Sequence, residues 1–187
     1  FHSGKAVTTG IQNTLIGGLA GDALTDADYN VAIGLSALGA DTLGSKTVAI
    51  GYGTLGSQNF TSATDTYNTG VGYNAGVALT TGVNNTLIGG LAGDAITTGS
   101  SNAALGYNSL GLNTTGARNV AMGAESLSAN TTGADNVAIG EDALTANTTA
   151  SNNTAVGANA LLANTTGATN TALGGSAMLS NTTGGTN

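Results

Sequence analysis

Apolar and polar residues recur along this chain with a period of 17 positions. Each repeating unit opens with a polar residue, nearly always Asn, and ten full units run from residue 13 to residue 186. The opening residues are Asn13, Asn30, Thr47, Asn68, Asn85, Asn102, Asn119, Asn136, Asn153, Asn170 and Asn187. Unit 47–67 contains a four-residue insertion, and residues 4–12 match the end of a further unit. A fixed period of this kind determines the architecture before any local pattern does.

The first five positions of the unit predict a short β-strand that ends in a bend. Position 4 is always aliphatic or Met, position 2 is Thr, Val or Ala, and position 5 is Gly in all ten units. Alternate residues of a strand face opposite sides, and Gly is favoured where the backbone must bend. We therefore expect position 4 to form the core of each coil. These residues are Ile16, Ile33, Ile50, Val71, Ile88, Leu105, Met122, Ile139, Val156 and Leu173.

Position 3 is nearly always Ala, and the same alternation predicts that it faces away from the coil interior. An exposed strand face more often carries Thr, Lys or Glu, so a column of methyl groups suggests that other chains approach closely there. We therefore predict that this column faces the other subunits of a trimer. Its members are Ala32, Ala49, Ala104, Ala121, Ala138, Ala155 and Ala172.

A second apolar pair follows at positions 8 and 9, usually Ala or Ser and then Leu. Three units have Gly at position 9 and a large aliphatic residue at position 12 instead, which keeps the interior filled as close packing requires. The pairs are Gly21 with Leu24, Gly76 with Leu79, and Gly93 with Ile96. Several units close with Asn-Thr-Thr-Gly, a run of turn-forming residues.

A 17-residue unit cannot bury its apolar face alone, whereas stacked units pair their backbones with the coils above and below. The sequence therefore predicts an all-β protein, a parallel β-solenoid of 17-residue coils, forming one segment over residues 1–187. Ten coils at about 4.8 Å each would make a rod of roughly 48 Å. The chain starts at Phe1, inside a repeat and without Met, so we expect a fragment of a longer protein.

Composition narrows the classes of function. Forty per cent of residues are hydrophobic and only 7 % are charged, which argues against a disordered linker. The net charge of −7 argues against binding of nucleic acid, which depends on Lys and Arg contacts to phosphate. No apolar run approaches the roughly 20 residues that span a bilayer, so no membrane contact is predicted within this segment. Cys is absent, which excludes disulfides and thiolate metal sites.

The phrase Asn-Val-Ala-Ile-Gly at 30–34 and 136–140 resembles the repeats of YadA-like head domains of trimeric autotransporter adhesins. The fuller phrase at 153–169 is similar to the 17-residue repeats of phage tail fibres and bacterial surface fibres, which often end in an endosialidase-type chaperone. The resemblance covers residues 4–187, although YadA-type units are usually shorter. It implies an extracellular homotrimeric, left-handed β-roll in a virion fibre or adhesin, with a cell-surface glycan or protein as receptor.

Residues capable of catalysis are scarce. His2 is the only histidine, and no Ser/His/Asp arrangement is marked, so we expect neither an enzyme nor a cofactor. Asp22 and Asp94 follow Gly-rich runs that are similar to calcium-binding nonapeptides, but their spacing differs and they lie 72 positions apart. We interpret both as solvated turn residues and predict no metal site.

The insertion is the one irregularity, and a loop that leaves a solenoid can serve as a binding surface. Tyr52, Phe60 and Tyr67 lie in or near it and could stack on a sugar. We therefore expect a structural, adhesive fibre segment that projects a receptor-binding tip. The alternative is a ligand-binding solenoid that binds a glycan or ice on one flat face, because the Thr and Asn residues form regular rows. The position of Asn-Thr-Thr at predicted turns is the simpler explanation of those rows.

Overall fold

The computed structural model describes residues 2–187, which form a parallel β-solenoid and contain no helix. Ten coils each contribute one three-residue strand to a single parallel sheet, and two shorter strands form a second sheet. The ten are β1 Thr14–Ile16, β2 Val31–Ile33, β4 Val48–Ile50, β6 Thr69–Val71, β7 Thr86–Ile88, β8 Ala103–Leu105, β9 Val120–Met122, β10 Val137–Ile139, β11 Thr154–Val156 and β12 Thr171–Leu173; the others are β3 Gly44–Ser45 and β5 Thr64–Asp65. The predicted fold class is confirmed, while its handedness and trimeric state stay predictions.

Coils stack in register, so each repeat position forms a row along the rod. Val137 pairs with Thr154, Ala138 with Ala155, and Ile139 with Val156. Each strand thus meets the same positions of its neighbours, and backbone bonds join coils outside the strands as well. In-register stacking converts the sequence period into continuous rows of identical environment.

The strands face the opposite way from the sequence-based prediction. Ala138, at position 3, is fully buried inside its own coil, whereas Ile139, at position 4, lies on the outer face and is 37 % exposed. All seven alanines predicted to face other subunits are buried in this interior: Ala32, Ala49, Ala104, Ala121, Ala138, Ala155 and Ala172. The residues predicted as coil core lie on the outer face, half-buried or exposed: Ile16, Ile33, Ile50, Val71, Ile88, Leu105, Met122, Ile139, Val156 and Leu173. Both assignments were wrong.

The narrowness of the coil explains this reversal. Gly70 occupies position 3 in its unit, and a Cβ added there would lie 2.6 Å from Thr54 Cγ2 and 3.0 Å from Leu55 Cγ. Position 3 therefore sits directly against the side chains of positions 8 and 9, where in most coils only a methyl group fits. A branched residue fits on the outer face, where nothing crowds it.

The interior is built on position 9, whose leucines are all fully buried: Leu38, Leu55, Leu110, Leu127, Leu144 and Leu161. The predicted compensation at position 12 is confirmed, because Leu24, Leu79 and Ile96 are fully buried as well. A second exchange of side-chain volume, between position 3 and position 9, was not predicted from the sequence. Leu87 occupies position 3 in a coil with Gly at position 9. A Cβ added to Gly76 would lie 2.7 Å from Leu87 Cδ1, and a Cβ added to Gly93 would lie 2.9 Å from Leu87 Cδ2.

Four rows of the repeat have a positive φ, at positions 5, 7, 9 and 17. Position 5 has φ near +130°, and a Cβ added to Gly140 would lie 2.6 Å from the carbonyl oxygen of Gly157 in the next coil. Only Gly satisfies both constraints. Position 9 is left-handed as well, with φ of 55° at Leu144, at a cost of about 1–2 kcal/mol per residue. Burial of the leucine side chain offsets this cost, and Gly at position 9 in three units avoids it.

The opening asparagines form a buried polar ladder. Asn153 donates from Nδ2 to the carbonyl of Gly167 at 2.9 Å, and its Oδ1 accepts the backbone N–H of Asn170 at 3.0 Å. A second ladder at position 12 links Asn130 to Asn113 at 2.8 Å and continues to the C-terminal coils. Within residues 2–187 no buried side-chain nitrogen or oxygen lacks a partner. These ladders satisfy polar groups that would otherwise be costly to bury.

The insertion coil replaces one step of the ladder with a different network. Thr47 still donates its N–H to Asn30 Oδ1 at 2.9 Å. Gln58 takes over the missing side-chain contacts: its Nε2 donates to Asp41 Oδ2 at 2.7 Å and to Thr47 Oγ1 at 3.0 Å, and its Oε1 accepts from Asn68 Nδ2 at 2.9 Å. The irregular unit is therefore tied into the interior.

We predict that Leu144→Ala lowers the free energy of unfolding by about 2–5 kcal/mol, because it leaves a cavity under the strand row. Leu112→Ala is the matched control, since Leu112 is 59 % exposed whereas Leu144 is fully buried. Chemical denaturation of both variants measures the difference. Equal losses would contradict the assignment of position 9 to the coil interior.

We also predict that Asn153→Asp destabilises the fold strongly at neutral pH, because a carboxylate cannot donate to the Gly167 carbonyl. Burial raises the pKa of such a carboxyl, so proton uptake favours the folded state and the stability of this variant should rise as the pH falls. Asn152→Asp, at the exposed neighbouring residue, should show little loss. Thermal unfolding between pH 4 and pH 8 tests this, and a pH-independent loss would argue against the ladder geometry.

Candidate functional site

The outer face of the ten-stranded sheet carries an aliphatic stripe, which we define as the position 2 and position 4 residues of its ten strands. Every position 4 residue is Ile, Val, Leu or Met, and position 2 holds only Val, Ala or Thr. Leu105, Met122 and Ile139 are all more than a third exposed. No charged residue interrupts the stripe over its whole length. The longest apolar surface of the described chain is therefore a sheet face with nothing packed on it.

Two ion pairs lie at the closing turn of the coil, on a row that is here called the charged row. Lys46 Nζ lies 2.5 Å from Asp65 Oδ2 and 5.2 Å from the centroid of the Tyr67 ring. Its hydrogen bond lowers the pKa of Asp65, and the same contact raises the pKa of Lys46. Arg118 likewise binds Asp135, at 2.6 Å, and holds the pKa of that carboxyl down. Both pairs are solvent-exposed, so they contribute little to stability.

A groove of about 540 Å³, here called the Tyr52 groove, opens between positions 6–7 and 10–11 of four successive coils. The Tyr52 ring forms one wall and stacks on Tyr73 with ring centroids 5.4 Å apart and planes 11° apart. The full lining is Leu19, Asp22, Ser36, Gly39, Ala40, Tyr52, Gly53, Gly56, Ser57, Asn74 and Val77. It follows the bend at position 5, so it occupies a different side of the coil from the aliphatic stripe.

The three aromatic residues predicted to contact a ligand do not form one site. Tyr52 is exposed and lines the groove. Phe60 is only 7 % exposed and its backbone is anchored by Asp41 and Thr42, so its assignment as a ligand contact was wrong. Tyr67 lies in the charged row beside Lys46. Phe60 is thus buried while Tyr52 and Tyr67 of the same unit are exposed, a difference that sequence position alone does not reveal.

The other candidate residues hold no shared chemistry. His2 is exposed, and no group of three or more His, Cys, Asp or Glu side chains that could hold a metal ion occurs in residues 2–187. Asp22 lines the groove, and partial burial raises the pKa of Asp94. The sequence predicts Asp22 only as a solvated turn residue, and the structure places it in the groove lining. The glycines at position 10 of two adjacent coils, Gly39 and Gly56, are the sequence signal that could locate the groove.

The threonine rows are bound mostly to the solenoid itself. At position 13 the hydroxyl donates to the carbonyl of the next coil, as from Thr131 to Thr148 at 3.0 Å. The asparagines of the Asn-Thr-Thr runs are buried in the second ladder, for example Asn130 and Asn147. Only the position 14 threonines, such as Thr149, present a fully exposed row. This arrangement accords with turn chemistry.

Comparisons with protein-family models, with curated proteins and with solved structures found no match to this chain. No segment of residues 2–187 forms a helix long and apolar enough to span a membrane. The function must therefore be argued from the surfaces that the solenoid presents: the aliphatic stripe, the charged row and the Tyr52 groove.

Proposed function

We propose that this chain is a structural, adhesive segment of a homotrimeric fibre, in which the aliphatic stripe is the contact between subunits. The observation that carries the proposal is the uninterrupted row of aliphatic residues and Met at position 4, flanked by Val, Ala or Thr at position 2, on an open sheet face. Ile33, Ile50 and Ile88 belong to it, and no Lys, Glu or Asp breaks it. Exposed sheet faces normally carry polar residues, and a contiguous apolar patch marks an interaction surface.

The energetics favour association along the whole rod. Burial of one aliphatic side chain contributes about 1.5–3 kcal/mol relative to its exposed state. Association of rigid bodies costs an estimated 4–15 kcal/mol in lost translational and rotational freedom. Ten stacked coils present ten such side chains, several of them already half-buried. Contact along the full stripe therefore exceeds the cost, whereas contact at one or two coils does not.

The geometry of the stripe favours parallel chains around an axis along the rod. Every coil presents the same positions on the same side, so a rotation about such an axis brings each stripe against the others in register. Soluble homo-oligomers usually have closed symmetry, and heterologous contacts between subunits form a ring when the rotation closes. Three subunits, the number implied by the resemblance to fibre repeats, enclose the stripes. The proposed trimer contact is therefore formed by the position 4 residues, and not by the position 3 alanines that the sequence predicted.

A rod of this design acts as a stiff spacer. Backbone hydrogen bonds join adjacent coils along the whole rod, so bending requires the loss of several of them at once. We propose that it holds a receptor-binding element away from a virion or bacterial surface. The receptor would be a cell-surface glycan or protein, and the segment itself carries out no catalysis.

A single charged substitution on the aliphatic stripe tests the proposed trimer contact. We predict that the unmutated chain sediments as a trimer and that Ile139→Glu reduces it to smaller species, because three carboxylates would meet in an apolar contact. Thr149→Glu, on the exposed position 14 row, is the control and should leave the trimer intact. Sedimentation equilibrium measures the mass. A monomeric unmutated chain, or a trimer insensitive to Ile139→Glu, would overturn the proposal.

A further inference from the structure

The Tyr52 groove is a local departure from the repeat. Position 10 is Gly at Gly39 and Gly56 in two adjacent coils. Gly recurs there once, at Gly111, and the other later coils carry larger residues, such as Thr145 and Leu162. Position 7 is Gly53 between them, where every other coil carries a side chain; its left-handed φ, 63° here, is shared by the whole position 7 row. Removal of side chains at these three points opens the surface at the unit that also carries the insertion. The groove is thus formed by specific residues and is not a general property of the solenoid.

The polar side chains that line the groove have no partners in the protein. Ser36, Ser57, Asn74 and Asp22 make no side-chain hydrogen bond to any residue in the described range 2–187, although all four line the groove. They differ in this from the opening asparagines and the position 13 threonines, whose side chains bond from coil to coil.

Equivalent positions further along the rod show the contrast. Asn108 Nδ2 donates to Glu125 Oε2 at 2.7 Å, in the same row as Ser36 and Asn74. Thr145 Oγ1 lies 3.4 Å from Asp142 Oδ1, which belongs to that row as well. The three coils of residues 102–152 therefore use this row for side-chain bonds, whereas the groove leaves its donors and acceptors available for a ligand.

The aromatic wall is rigid as well as exposed. Tyr52 is 52 % exposed, and its stacking on Tyr73 fixes the ring before any ligand arrives. A fixed aromatic ring loses little conformational entropy on binding and offers both an apolar surface and a hydroxyl. Such a ring beside several free hydroxyl, amide and carboxylate groups suits a ligand whose surface is also part apolar and part hydroxyl-rich.

We propose that the Tyr52 groove binds a neutral saccharide. The C–H face of a sugar ring packs against Tyr52, and its hydroxyls bond to Asp22, Ser36, Ser57 and Asn74. The volume of about 540 Å³ falls in the range of small-ligand sites, about 300–1,000 Å³. The lining spans four coils, or about 14 Å between the first and the fourth at one strand spacing each. A short oligosaccharide therefore lies along the rod axis.

Charge selects neutral over acidic sugars. Asp22 is the only charged residue in the lining, and it would repel a carboxylate. Lys46 and Arg118 are paired with aspartates on another row, and Lys5 lies beyond the Asp22 end of the groove and is not part of its lining. No cation therefore lines the groove, and Lys5, which occupies the row of Asp22 one coil away, is the nearest one in sequence register. This inference does not depend on the trimer, because the groove and the aliphatic stripe use different positions of the coil.

The test is binding of the 187-residue chain to an array of immobilised neutral oligosaccharides of glucose, galactose, mannose and N-acetylglucosamine, together with sialylated counterparts. We expect binding to neutral members only. Tyr52→Ala and Asn74→Ala should each weaken it at least about tenfold, equivalent to about 1.4 kcal/mol. Tyr107→Ala is the matched control, because Tyr107 occupies the same row and is equally exposed but lies outside the groove.

Two further measurements keep the outcomes distinct. Thermal unfolding of each variant excludes loss of fold as the cause, and Asp22→Asn should extend binding to sialylated members because it removes the repelling charge. Absence of binding to every neutral oligosaccharide, or equal binding by Tyr52→Ala, would overturn the inference. Preference for acidic sugars in the unmutated chain would do the same. None of these outcomes bears on the subunit number, which sedimentation measures separately.

Discussion

The close approach of successive coils at their first corner is the constraint on which the rest of the structure depends. At position 5 the backbone of one coil lies so near the next that a Cβ on Gly123 would meet the carbonyl oxygen of Gly140 at 2.5 Å. This contact holds the strands at one spacing and one register. Every other row follows from it, including the asparagine ladder, the leucine core and the outer stripe.

Because each coil is narrow, its interior and its outer face accept side chains of different size. The interior admits only a methyl group opposite a leucine, as at Ala138 and Leu144, and satisfies its polar groups through Asn side chains that bond both within and between coils. Larger aliphatic side chains that cannot fit inside are displaced to the outer face. A solenoid of this width thereby generates an apolar exterior as a direct result of its small core, and association of chains is the way such a surface is normally covered.

Departures from the repeat carry the local chemistry. Gln58 and Asp41 repair the polar ladder where Thr47 interrupts it, and Phe60 is buried in the same unit. On the neighbouring surface, Gly39 and Gly56 open a groove beside Tyr52. Irregular coils in a repetitive rod can lose one row of contacts and remain paired above and below, which is why a ligand site can be placed there at small cost to stability.

The sequence alone determined the architecture. A 17-residue period with Gly at position 5 is compatible with few arrangements other than stacked coils. The exchange of side-chain volume between Gly21 and Leu24, and between Gly93 and Ile96, indicates a filled interior in each coil. It did not determine which face of the strand points inward. Alternation separates Ala138 from Ile139 but is symmetric between the two faces, and the usual assumption that the larger residue is buried fails here. Only the tertiary structure decided this, through the position 9 leucine that fills the space beneath the strand. The same holds for Phe60 and the Tyr52 groove, whose burial and exposure depend on side chains from adjacent coils.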